Sequence, residues 1–183
     1  MLFVNRTFSL SFYVDLMTTP KPPLYTPEER LRRDASVWTL VQGVLAPVQF
    51  LVFLVSLYFV TRCLMTGEGE QWALWSVVVK TLCLYTIMIT GCIWEKVVFD
   101  KYLFAHSFFW EDVFSMLVLA LHTAYLVVWW QGIWSPVEQL WLAVAAYGTY
   151  CINALQFILK LRAARLEKPS TDNILMAQAG SAT

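Results

Sequence analysis

The sequence predicts an all-α integral membrane protein. Its expected form is a four-helix bundle with both N and C termini cytoplasmic and a short interfacial helix before the first span. Three observations carry this. Apolar residues make up 58% of the 183-residue chain and charged residues only 14%, against about 25% charged in a soluble domain. Four apolar runs follow one another, each long enough for a hydrocarbon core of roughly 30 Å. Of the 13 Lys and Arg residues, all but Arg62 and Lys80 fall in the N-terminal segment, the 95–112 loop or the C-terminal segment. The positive-inside rule puts those three regions in the cytoplasm.

Taken in order, residues 1–25 read as a disordered or extended N-terminal segment. Its apolar patch TFSLSFYV is too short to span a bilayer. No cleavage site follows a basic start, which argues against a signal peptide, and Met17 is an alternative start. Thr26-Pro27-Glu28-Glu29 then forms a capping-box signature, with threonine as cap, proline at the first helical position and glutamate at the third. Arg30, Arg32 and Arg33 follow, so this short helix belongs at a membrane surface.

The membrane domain, residues 26–166, holds spans at about 37–61, 72–95, 112–134 and 138–160. The first carries no charge. Pro47 predicts a kink in it. Gln42, Gln49 and Ser56 recur every seven residues and share one face, which in lipid looks into the bundle, for interhelical hydrogen bonds or a polar pocket. Gly67-Glu68-Gly69-Glu70 makes the next turn. The second span has one charge, Lys80, which must snorkel to an interface, pair with a structural partner or meet a ligand. Trp129, Trp130 and Trp134 end the third span as an interfacial belt. Ser135-Pro136 turns the chain into the fourth span, and residues 167–183 read as a disordered tail.

Several function classes fall away. Net charge is zero, without the basic excess that nucleic acid requires. The four cysteines form no CxxC pair and read as small buried hydrophobes. There is no internal repeat and no glycine-rich nucleotide loop. Of the two histidines only His122 lies in a span, too few for a four-helix cytochrome.

The polar groups gather in the cytoplasmic half. Glu95 ends the second span beside Trp94, and Trp110, Glu111, Asp112 and Ser115 open the third. Gln49 lies on the first and Asn153 on the fourth. His122 shares a face of the third helix with Glu111, about 16 Å deeper. The pattern is a pocket open to the cytoplasm, walled with aromatics and rimmed with carboxylates. Each group also has a plain structural reading. Glu111 and Asp112 suit the positive end of a helix dipole, Glu95 can pair with Lys96 at the surface, and His122 can simply bond a neighbouring helix. Composition and spacing do not choose a reaction.

Four stretches do point to one. PLYTPEERLRRDASVWTLVQGVLAPVQF, VVKTLCLYTIMITGCIWEKVVF, FFWEDVFSMLVLALHTAYL and INALQFILKLRAARL together resemble the 3-vinyl (also called 2-vinyl) bacteriochlorophyllide hydratase family over about Pro23–Leu166. The resemblance implies a hydro-lyase of bacteriochlorophyll biosynthesis. Its substrate would be chlorophyllide a or 3-vinyl bacteriochlorophyllide a, with water added across the 3-vinyl group to give the 3-(1-hydroxyethyl) product. It implies no cofactor, since the magnesium belongs to the substrate. It implies the bacterial inner (intracytoplasmic) membrane, with the lipid bilayer, the tetrapyrrole and other bacteriochlorophyll-pathway enzymes as partners. On that footing the expected catalytic groups are Glu111 as acid, Glu95 as its partner and Asp112 positioning water. The expected substrate-binding groups are His122, Trp94, Trp110, Gln49 and Asn153, with His122 facing the substrate magnesium. A non-catalytic chlorin carrier or photosystem assembly factor is the alternative. A small drug transporter ranks last, since it expects a deep carboxylate.

Overall fold

The computed structural model describes residues 23–166; the expectations for residues 1–22 and 167–183 lie outside the described residues. Among the described residues there are five helices: α1 Pro27–Ala35, α2 Val37–Thr66, α3 Glu70–Phe99, α4 Phe109–Gln131 and α5 Pro136–Leu166. The last four are long and apolar enough to cross a membrane. Their helical ends run past the spans read from hydropathy, because helices continue into the polar layer once their caps allow it. Only α4 stops short, at Gly132 with φ 62°, which leaves Trp134 in the following turn.

Local chemistry sets each boundary. The capping box of α1 forms in both directions: the Glu29 N–H donates to the Thr26 hydroxyl at 3.2 Å, and the Thr26 N–H donates to the Glu29 carboxylate at 2.8 Å. Helix α2 runs through Pro47 and ends at Gly67. Gly67 and Gly69 both take left-handed φ, 74° and 76°, a conformation that costs glycine nothing. This is how three residues reverse the chain.

The bundle is two antiparallel hairpins, α2 with α3 and α4 with α5, which pack more intimately within each hairpin than across the seam. The seam contains the core and most of the buried polar groups. The heptad face of α2 turns inward as its spacing requires. Gln42 donates to Thr90 of α3 at 2.8 Å, Gln49 is buried, and Ser56 bonds Ser76 of α3 at 2.7 Å and Tyr147 of α5 at 2.6 Å. Ser56 thus ties three helices together.

At the end that holds the α3–α4 loop, the chain entering α1 packs into the bundle. Tyr25 is buried against Phe99 and Phe108, and the Ser107 hydroxyl donates to the Leu24 carbonyl at 2.7 Å. Burial pushes the Tyr25 phenol above its ordinary pKa. The last residues of the N-terminal segment are therefore anchored.

Candidate active site

The α3–α4 junction builds the polar end of the seam. Lys96 pairs with Asp100 four residues on, at 2.6 Å, and not with its neighbour Glu95. Both partners are exposed, and Lys96 holds the Asp100 carboxyl below its ordinary pKa. Glu95, freed of that lysine, turns inward and is 6% exposed. Asp100 and Phe104 take left-handed φ of 60° and 58°, a rare state for residues with a Cβ. At Phe104 this aims the N–H at Oδ2 of Asp112, 2.7 Å away. The next N–H, of Ala105, reaches Oε2 of Glu95 at 3.4 Å. The two carboxyl groups lie within electrostatic reach of each other, and each accepts from one of two successive loop N–H groups. The loop thus holds a carboxyl pair at the seam.

Glu111 precedes Asp112 and faces another way. Its carboxylate meets the Lys160 ammonium of α5 at 2.5 Å, and Lys160 also lies 5.0 Å from the Phe108 ring centre. One turn deeper, Asn153 donates to the Ser115 hydroxyl at 2.8 Å. Trp94 is built into the wall beside the pair. Its indole N–H donates to Thr39 at 2.9 Å, and its ring meets Phe99 and Phe108 edge-on, each 5.7 Å away. Trp110 stands apart, exposed and edge-on to Phe109.

A second polar layer lies deeper. His122 is fully buried, with Nδ1 bonded to the Val118 carbonyl at 2.8 Å. A carbonyl only accepts, so Nδ1 carries the proton and Nε2 presents its lone pair. Among the described residues that Nε2 finds no hydrogen-bond partner, nor do the two amide atoms of Gln49. The His122 ring lies 5.9 Å from Tyr147. Lys80 is the correction here. It does not snorkel: it is fully buried, with its ammonium 3.8 Å from the Tyr150 ring centre.

The structure therefore brings Glu95 and Asp112 together, with Trp94 alongside and Asn153 one layer deeper. It places Glu111 in an ion pair, His122 and Gln49 in the buried interior, and Trp110 outside. Sequence reasoning treated Lys160 only as a topology signal. The clue to its role was available: an antiparallel α5 must end beside the start of α4.

The family described as 2-vinyl bacteriochlorophyllide hydratase (BCHF) matches residues 25–163. A 2-vinyl bacteriochlorophyllide hydratase of Rhodobacter capsulatus is 62% identical over 150 residues, 81% of this chain and 86% of that protein. One of Cereibacter sphaeroides is 60% identical over 154 residues, 82% of this chain and 95% of that protein. No solved structure matches.

Proposed function

The chain belongs to the 2-vinyl bacteriochlorophyllide hydratase family, and from that premise we propose how its residues carry out the reaction. It is an enzyme of bacteriochlorophyll synthesis, a hydratase acting on a vinyl group, and a multi-pass membrane protein by the length and apolarity of its four long helices.

Hydration of a vinyl group on a conjugated macrocycle has a preferred direction. A proton added to the terminal carbon leaves a cation on the carbon attached to the ring, where the π-system spreads the charge. Water attacks that carbon, loses its second proton, and leaves a 1-hydroxyethyl group. One proton is given and one is taken back, with no change in the enzyme. The oxidation level is balanced by water alone, so the chain needs no cofactor of its own; the magnesium is the substrate's.

The Glu95–Asp112 pair carries this reading. It supplies both halves of the exchange, one carboxyl group to give a proton and a second beside it to take one. Asp112 accepts a short 2.7 Å bond from a backbone N–H, which suits the anion. Glu95 has the longer 3.4 Å contact and serves as proton donor, with Asp112 positioning the water and receiving its proton. The ion pair with Lys160 favours Glu95 over Glu111 as the acid, since it already engages the Glu111 carboxylate across α4 and α5. Glu111 locks α4 to α5 and places negative charge near the developing cation. The macrocycle enters between the hairpins, against Trp94 and the phenylalanines, which offer aromatic faces to a flat ring. The bare Nε2 of His122 faces the substrate magnesium, and Gln49 and Asn153 line the ring's edge.

We place the protein in the bacterial inner, intracytoplasmic membrane, with both termini and the α3–α4 loop on the cytoplasmic side, where substrate passes to and from neighbouring pathway enzymes. The direct test is incubation of membranes containing the protein with chlorophyllide, followed by mass measurement. The expected product is heavier by one water. Pigment bound and released unchanged would replace the hydratase mechanism with a carrier role.

A further inference from the structure

We propose that Lys80 is the receptor for the substrate's carboxylate side chain. The buried ammonium and the Glu95–Asp112 pair then grip two edge substituents of one macrocycle. The identity of the ligand rests on the hydratase reading above; the need for an anion does not.

Lys80 sits about a third of the way along α3, with no solvent exposure. Among the described residues its ammonium finds no hydrogen-bond partner and joins no ion pair. Its nitrogen lies over the face of Tyr150, and a ring face offsets only part of the cost of a cation at that depth. His122 lies within electrostatic reach and offers a lone pair, not a negative charge. In its charged form a side chain so placed calls for an anion that arrives from outside the chain.

The depth matches the ligand. Three contacts join α4 to α5 at successive levels: Glu111 with Lys160, Ser115 with Asn153, and His122 with Tyr147. Tyr150, which carries the ammonium, falls between the second and third. At 1.5 Å per residue the ammonium therefore lies roughly 6–16 Å along α4 from Glu111. That is comparable to the separation of two edge substituents on a tetrapyrrole. A bacteriochlorophyllide is the free acid of its pigment, and its propionate carboxylate is lost when the pigment is esterified. A lysine at this position thus makes the site selective for the free acid.

The test compares free-acid chlorophyllide with its methyl ester, using full-length protein in membranes or detergent. Affinity is read from quenching of tryptophan fluorescence and turnover from product mass. Wild type should bind the acid about ten- to a hundredfold more tightly than the ester, the range expected for a hydrogen bond to a charged group. Lys80→Met should lose that factor on the acid, chiefly in Kd and KM, and leave affinity for the ester unchanged. Equal affinity of wild type for acid and ester overturns the assignment, and needs no variant to fold. An equal loss on both ligands also overturns it, because that marks a structural role. Preferential acid binding without any hydrated product leaves this assignment standing and removes the hydratase reading instead.

Discussion

Glu95→Gln separates proton supply from structure at a single atom. Glutamine keeps an oxygen for the Ala105 N–H, 3.4 Å away in the wild type, and its amide nitrogen can still donate to Asp112. The fold loses nothing large, but the transferable proton is gone. General acid catalysis contributes about 100- to 10,000-fold. The variant should therefore lose that much in kcat, about 2.7–5.4 kcal/mol at 1.36 kcal/mol per tenfold. KM should change little, because the carboxyl group acts in the transition state and not in holding the ring. The assay is product mass against time in membranes, with protein amount and thermal unfolding measured in parallel. A kcat within tenfold of wild type, in a variant with wild-type melting, would refute the assignment of the proton to this pair.

Other consequences are smaller in scale. Glu111→Gln leaves Lys160 without its partner, and since Lys160 is partly exposed the cost should be about 1–3 kcal/mol of stability, read as a lower melting temperature. Its loss of kcat should be well below that of Glu95→Gln; the reverse order would return the acid role to Glu111. Ser56→Ala removes the hydroxyl that meets both Ser76 and Tyr147 and should destabilise by about 1–3 kcal/mol through the unsatisfied Tyr147 phenol, with thermal unfolding in detergent as the readout. Trp110→Leu changes an exposed ring, so melting should move by no more than about 0.5 kcal/mol equivalent and KM should be unaltered. Turnover in heavy water should place a single non-exchanging deuterium in the new methyl group, seen by mass and NMR. Deuterium on the ring-attached carbon would contradict protonation at the terminal one.

Much of the architecture is visible before any coordinates. The capping box at Thr26 and Glu29, the glycine turn at Gly67 and Gly69, and the Gln42, Gln49, Ser56 face each follow from local chemistry, and each forms. The clustering of Glu95 with Asp112 follows only in outline. Both belong to the loop end of the bundle, but adjacent helical residues point about 100° apart. Whether Asp112 or Glu111 meets Glu95 is decided by how α4 rotates against α3 and α5. The same rotation gives Glu111 to Lys160. Lys96 illustrates a further limit. Its neighbour Glu95 is the obvious partner in sequence, yet Asp100 at the next turn wins, because adjacent side chains on a helix do not face each other. Lys80 is a third case. Hydropathy reports its depth but not whether its stem runs along the lipid face or into the seam, and packing sends it inward onto Tyr150.

The proposed mechanism depends on where the vinyl group sits. A structure of the protein with bound chlorophyllide tests this directly. The expected result places the terminal vinyl carbon about 3–3.5 Å from a carboxyl oxygen of Glu95 or Asp112, within near-attack range, with the propionate directed toward Lys80. A vinyl group lying against Glu111, or one facing only apolar side chains, would contradict it.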